Sequence, residues 1–200
     1  LNRASDDVSA LAVHGARAMN KPGYYRERGV VWRTATDGTA IMPRPLSAGA
    51  FEQRIATFWQ PYHDALAAEI ERVRREFGFC ILVDGHSMPS LGKGPKRLDA
   101  RRADVVPGDL DGQSCDGSVT RTVAHHFRSE DYSVRANDPY KGGWITRSYG
   151  NPARGVHAIQ IEVNRDLYMD EQTFRARPDG LERLAKACRS LIPKLGELEL

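Results

Sequence analysis

A carboxylate and an imidazole follow directly on an apolar run near the middle of the sequence. Residues 81–83 are Ile, Leu and Val, and Asp84 and His86 come next, on either side of a glycine. Alternate residues of a strand share one face, so the two side chains are expected to point the same way. A carboxylate often orients the imidazole that binds zinc. The pair therefore predicts a metal ligand, with ordinary packing as the alternative.

A second apolar run ends in the same manner. Residues 158–161 precede Glu162, Asn164 and Arg165, and the first two of these should share a face. In open α/β sheets, ligands bind beyond the carboxyl ends of the strands, where both runs would deliver their polar residues. Glu162 could take a proton from a metal-bound water there, or it could be the buried structural partner of an arginine.

A third polar cluster surrounds a pair of glycines at residues 137–150, NDPYKGGWITRSYG. Arg147 could bind a substrate carboxylate through its planar fork of donors, and Tyr149 could donate a hydrogen bond to the same group. The alternative is a hairpin turn with ordinary surface charges.

The surrounding pattern predicts one α/β domain over residues 1–200, with a mixed, mainly parallel sheet flanked by helices. Residues 1–47 are rich in turn signals. After them, apolar runs alternate with segments of helical period. Strands are predicted at 79–84, 103–109, 132–138, 142–150 and within 156–169, and helices at 47–78, 114–127 and 180–192.

Two of the helices carry more specific expectations. Pro61 should kink or split the long first helix, because it lacks an N–H group. On the second helix, Asp116 is expected to cap the amino end, and His125 and His126 to face solvent. The long helix should bury one apolar stripe, made of Phe51, Ile55, Phe58, Tyr62, Leu66, Ile70, Val73 and Phe77.

Composition excludes several classes of protein. The 29 basic and 26 acidic residues leave a net charge of only +3, too balanced to indicate a nucleic-acid partner. No apolar run approaches the ~20 residues that a membrane span needs. Three widely spaced cysteines and no visible signal peptide predict reduced thiols in the cytoplasm. The sequence makes no prediction of oligomeric state.

Several separate motifs, taken in order, resemble the N-formylglutamate amidohydrolase family. They are FWQPYHDAL, DGHSMPS, ADVVPGDLDGQSCD and the long run from Asn137 to Glu171. The likeness extends from about Phe51 to Glu171, with a looser match at residues 1–3. The family is similar to zinc carboxypeptidases and to the aspartoacylase–succinylglutamate desuccinylase group. This resemblance implies a phosphorylase/hydrolase-like fold and zinc-dependent removal of a formyl or other acyl group from an N-acyl amino acid such as N-formylglutamate.

The resemblance also implies roles for individual residues. His86 matches a zinc ligand and Glu162 matches the general base. Asn2 and Arg3 match a pair that binds a substrate carboxylate. N-formylglutamate carries a second carboxylate, for which Arg147 is the candidate, with Tyr149 beside it. Three further residues are possible supports of the site, namely Asp84, Asn164 and His157.

One family motif is missing from the sequence. The related zinc enzymes hold their metal with an H-x-x-E pair, and no histidine here is followed by glutamate three positions later. That pair would precede the chain's first residues, so part of the domain is expected to lie before Leu1. Two alternatives stay open: an amidase or peptidase acting on another N-acyl or cell-wall peptide substrate, and a metal-free binding protein of the same fold.

Overall fold

The computed structural model of the protein describes residues 2–9, 12–13, 29–35, 38–92 and 100–200. The chain divides into two compact units, Leu1–Glu69 and Ile70–Leu200. One domain over residues 1–200 stays a prediction. The described part of residues 1–47 consists of turns and isolated bridges, as the turn signals predict; the KPGYY turn at 21–25 lies outside the described residues.

The long first helix is interrupted before its proline. Helix α1 (Ala48–Arg54) begins at Ser47, whose hydroxyl accepts the Ala50 N–H at 3.2 Å. A π-helical turn follows at Ile55–Trp59, and then α2 runs over Gln60–Phe77. Pro61 has no N–H and its ring crowds the carbonyl four residues earlier, so a wider turn just before it relieves the clash.

The apolar stripe of this helix is only partly buried, which corrects the expectation of a continuous core-facing stripe. Ile70 is 6% exposed, but Phe58 is 66% and Phe77 62% exposed. Phe77 borders an apolar groove of about 500 Å³ that the strand residues Ile81 and Val83 also line. Helical periodicity shows that a face is apolar; it does not show what covers that face.

The second unit contains a three-stranded sheet in the order β1-β3-β2. Strand β1 (Cys80–Met88) pairs in parallel with β3 (Val156–Asn164), and β2 (Val105–Gly108) pairs antiparallel on the other side of β3. The α/β class and the mixed sheet are confirmed. The sheet has one parallel and one antiparallel pairing, so the structure does not bear out a mainly parallel sheet.

Helices α3 (Gly117–Ser129) and α5 (Pro178–Gly196) pack on the apolar face of β3. The Asp116 carboxylate caps α3 by accepting the Ser118 N–H at 2.7 Å, as predicted. Phe127 is a fully buried member of this core, and the burial of its side chain contributes about 1.5–3 kcal/mol. The core residues include Val105, Val119, Val123, Phe127, Ile159, Ile161, Leu184, Leu191 and Leu195.

Two predicted strands are not strands. Residues 132–138 form a turn with one isolated bridge, Val105 to Val134. The segment predicted as a strand at 142–150 contains helix α4 (Trp144–Tyr149). The Thr146 hydroxyl accepts the Gly143 N–H at the start of this helix, and local capping of this kind overrides the weak strand preference of its β-branched residues.

His126 is buried, not solvent-facing as predicted. It lies one turn from Val123 on the packed face of α3, and its ring nitrogens are both satisfied from α5. Nε2 lies 2.8 Å from the Ala187 carbonyl oxygen and Nδ1 lies 2.9 Å from the Lys194 ammonium. Within the described ranges, no helix combines the length and apolarity needed to cross a bilayer.

Candidate functional site

The parallel register of β1 and β3 brings the two polar strand ends together. His86 is the direct partner of Glu162 across the two strands, which lie about 4.8 Å apart in any sheet. Because alternate residues share a face, one face of this sheet edge carries a polar group of side chains. Its members are Asp84, His86, Gln160, Glu162 and Asn164. Below, the two central members are called the His86–Glu162 pair.

His86 is oriented by the carboxylate two residues before it. Its Nε2 lies 3.0 Å from Asp84 Oδ1. This hydrogen bond is the largest influence on the imidazole and raises the pKa of His86 above the ordinary histidine value, with burial acting in the opposite direction. Asp84 therefore fixes the position of the ring and stabilises its protonated form.

Glu162 is a buried carboxylate with one oxygen that no described residue donates a hydrogen bond to. The residue is 7% exposed, and its Oε2 has no hydrogen-bond partner among the described residues. Burial is the largest influence on this group and raises its pKa above the ordinary glutamate value, while the charges of His86, Arg165 and Arg102 oppose that rise. A carboxyl whose pKa lies closer to neutrality is suited to accepting and returning a proton.

Two arginines lie near the His86–Glu162 pair. Arg165 follows β3 directly and donates to the Ser87 hydroxyl at 3.3 Å and the Ser87 carbonyl at 3.4 Å. Its Nη1 also lies 4.0 Å from a carboxylate oxygen of Glu171. That carboxylate accepts hydrogen bonds from the backbone and hydroxyl of Ser90. These contacts tie the chain after β3 to the chain at the end of β1.

Arg102 is the second arginine, and it is not among the site residues predicted from the sequence. Its Nη1 donates to the Pro89 carbonyl at 3.1 Å and to the Tyr140 hydroxyl at 3.0 Å. Asn164 donates to the Arg102 backbone carbonyl at 3.3 Å. The sequence shows two adjacent arginines ahead of β2 and a tyrosine, Tyr140, in the polar cluster after Asn137. These features indicate that an arginine could lie near the site. They do not show which of the two arginines points toward it.

Arg147 and Tyr149 lie on α4, away from this edge of the sheet. Arg147 borders a separate cavity of about 350 Å³ together with Ser114 and Lys141. The Ser114 hydroxyl donates to the carbonyl of Ala158, which is four residues before Glu162 on β3, or about 13 Å along a strand. The structure therefore does not bring Arg147 together with the His86–Glu162 pair.

His157 lies on the opposite face of β3 from Glu162, because the two are separated by an odd number of positions. Its Nδ1 accepts the backbone N–H of Asp116 at 3.0 Å, and burial lowers its pKa below the ordinary histidine value. A neutral imidazole in this position fixes the start of α3. Its described contacts are those of a packing residue.

Asn2 and Arg3 belong to the first unit and are described within it. Arg3 forms an ion pair with Asp7 at 3.2 Å, and its backbone carbonyl accepts the Trp59 indole N–H at 2.8 Å. Asp7 lies four residues after Arg3 in the chain, so this ion pair is a local one. Binding of a substrate carboxylate by Asn2 and Arg3 stays a prediction.

The described side chains do not form a metal site by themselves. A zinc site needs at least three protein ligands. Among the described residues, no group of three or more His, Cys, Asp or Glu side chains is arranged to hold a metal ion. His86 supplies one imidazole of the kind that zinc prefers.

Comparison with known proteins shows which family the chain belongs to. A family model described as N-formylglutamate amidohydrolase matches residues 1–169. N-formylglutamate deformylase of Pseudomonas aeruginosa is 38% identical over 95% of the chain and 74% of its own length. The deformylase of Pseudomonas putida is 34% identical over 98% of the chain and 69% of its own length. A crystal structure of N-formylglutamate amidohydrolase from Ralstonia eutropha aligns with a TM-score of 0.84 and 28% identity, over 98% of this chain and 71% of that one. The chain belongs to the N-formylglutamate amidohydrolase family.

Proposed function

We propose that the protein is a zinc-dependent N-formylglutamate deformylase, which hydrolyses the formyl amide of N-formylglutamate to glutamate and formate. The names of its two Pseudomonas relatives support the activity and the substrate. The observation that carries the chemistry is Glu162, a buried carboxylate beside an imidazole, whose Oε2 receives no hydrogen bond from the part of the chain that the structure describes. A carboxylate in that state is disposed to take up a proton.

In this proposal Glu162 is the general base. It accepts a proton from the water that attacks the formyl carbon, and it then returns the proton to the nitrogen of the leaving amine. The raised pKa of Glu162 suits both steps, because the group must hold the proton between them. The nearby positive charge of Arg165 favours the negative charge that develops on the carbonyl oxygen.

Zinc is part of the proposal, with His86 as one ligand. Zinc supplies Lewis-acid polarisation of a carbonyl and lowers the pKa of bound water when it is present. Asp84 supports His86 in this role by holding its ring. Asn2 and Arg3 remain the proposed contacts of one substrate carboxylate.

A substrate panel and a metal analysis test this proposal together. We expect the purified full-length protein to contain about one zinc per chain and to release formate from N-formylglutamate faster than it hydrolyses N-acetylglutamate, N-formylmethionine or a cell-wall peptide. His86→Ala should lose zinc, as measured by elemental analysis. Preference for another substrate would favour the broader amidase, and a protein free of zinc and without hydrolytic activity would favour the metal-free binding protein.

A further inference from the structure

Arg102 reaches across the carboxyl end of β3. Its backbone is held by Asn164, the last residue of that strand. Its guanidinium extends to the carbonyl of Pro89, one residue beyond the end of β1. The guanidinium therefore lies at the sheet edge that carries the His86–Glu162 pair.

One edge of this guanidinium is available for a ligand. Both fixed hydrogen bonds of Arg102 use Nη1, and its Nε and Nη2 make no hydrogen bond with the described residues. Nε–H and Nη2–H lie side by side and match the two oxygens of a carboxylate. Arg165 differs, because its Nε and Nη2 are both directed to Ser87.

Tyr140 holds Arg102 in place from the side. Its hydroxyl lies 3.0 Å from Nη1, and its ring centre lies 5.2 Å from the guanidinium carbon. An arginine that is already fixed at one nitrogen loses less side-chain entropy when it binds a ligand than a free arginine does. Tyr140 is thus a positioning residue for the open edge of Arg102.

We propose that Arg102 selects an acidic substrate by binding one of its carboxylates through Nε and Nη2. The inference rests on the proposed function and names the residue that recognises the dicarboxylic part of the substrate. It gives Arg102 the role that the sequence predicts for Arg147, which the structure places beside another cavity. The bound carboxylate is either the main-chain or the side-chain one, and the test separates these two.

Three substrates and one variant test this role. N-formylglutamate carries both carboxylates, N-formylglutamine lacks the side-chain one, and N-formylisoglutamine lacks the main-chain one. We expect Arg102→Gln to lower kcat/KM for N-formylglutamate by about 100-fold. The same variant should change kcat/KM far less for the monoamide that lacks the carboxylate bound by Arg102. An equal fall for all three substrates, or no fall, would overturn the proposal.

Matched variants separate recognition from folding. Arg101→Gln changes the neighbouring arginine, which is exposed and paired with Asp104 at 2.9 Å, and should leave all three rates unchanged. Arg102→Lys keeps the positive charge but removes the paired Nε–H and Nη2–H donors. Its midpoint of thermal unfolding should therefore equal that of the wild type, while kcat/KM for N-formylglutamate should fall about tenfold. Tyr140→Phe should raise KM for N-formylglutamate more than it lowers kcat.

A binding measurement distinguishes failure of this inference from failure of the proposed function. Calorimetry of N-formylglutamate with Glu162→Gln measures affinity without turnover, and adding Arg102→Gln should weaken it about 100-fold. If the wild-type protein releases no formate from N-formylglutamate, the proposed function fails while this comparison still decides the role of Arg102. Equal affinities with and without Arg102→Gln would reject the carboxylate contact.

Discussion

Asp109 and Glu162 are both almost fully buried carboxylates of the second unit, at 5% and 7% exposure, but their surroundings are opposite. Asp109 follows β2 and accepts hydrogen bonds from the Gly112 backbone at 2.8 Å, the Asn137 amide at 2.8 Å and the Thr120 hydroxyl at 2.6 Å. Glu162 has a buried oxygen that accepts none from the described residues. One carboxylate is saturated with donors, and the other is not.

The pKa directions follow from this difference. Burial alone would raise the pKa of Asp109, but its hydrogen bonds hold that pKa below the ordinary aspartate value. The same burial effect acts on Glu162 without donors to offset it, and the pKa rises. A protein folds most stably when buried charges are satisfied, so an unsatisfied carboxylate at a strand end indicates chemistry, while the saturated one serves the fold.

The strongest test of this comparison is Glu162→Gln. We expect kcat on N-formylglutamate to fall by about 10²- to 10⁴-fold, because the amide cannot accept the proton. The free energy of unfolding, measured in urea, should stay within about 1 kcal/mol of the wild-type value, since Oε2 of the carboxylate makes no hydrogen bond with a described residue. Glu182→Gln, on the exposed side of α5, is the control. Activity near the wild-type level would show that the base is elsewhere.

Asp109→Asn should show the reverse pattern. The substitution keeps the shape but turns one acceptor into a donor that faces other donors, so the free energy of unfolding should fall by about 2 kcal/mol. Folded protein should keep most of its kcat. The measurement is urea unfolding, together with the rate at a temperature well below the unfolding midpoint.

The neighbouring Asp111→Asn is the matched control for that variant. Asp111 forms an exposed ion pair with Lys141 at 2.6 Å, and exposed pairs contribute at most about 1 kcal/mol. Equal destabilisation by both variants would remove the distinction between a saturated buried carboxylate and an ordinary surface one.

The smallest expected effect is a pH dependence of stability. Because the folded-state pKa of Asp109 is lowered, its contribution is complete above the unfolded-state value of about 3.9 and is lost as pH falls from there through the folded-state pKa. As pH falls below about 4, the free energy of unfolding should therefore decline more steeply for the wild type than for Asp109→Asn. Parallel curves would contradict this account.

The sequence predicts those parts of the site that depend on strand periodicity. The apolar runs locate β1 and β3, and the rule that alternate residues share a face anticipates the grouping of Asp84 with His86 and of Glu162 with Asn164. It also predicts the Asp116 cap, because this depends on one side chain and the nearest backbone. These are local properties, and local chemistry determines them.

The remaining features depend on contacts between distant segments. The antiparallel direction of β2 leaves no trace in its own four residues. The inward turn of Arg102 is set by Pro89, Tyr140 and Asn164, which are 13, 38 and 62 positions away in sequence. His126 is buried because α5 supplies partners for both ring nitrogens. Periodicity and composition do not encode such pairings.

Strand β3 uses its two faces for different purposes. One face presents Ile159 and Ile161 to the core and His157 to the start of α3, and the other places Glu162 level with His86. A slip of one residue in the pairing of this strand would exchange the two sets. Loss of a single residue from its middle would place an aliphatic side chain beside His86 and turn Glu162 toward the hydrophobic core, so the proposed site and the core depend on the same strand alignment.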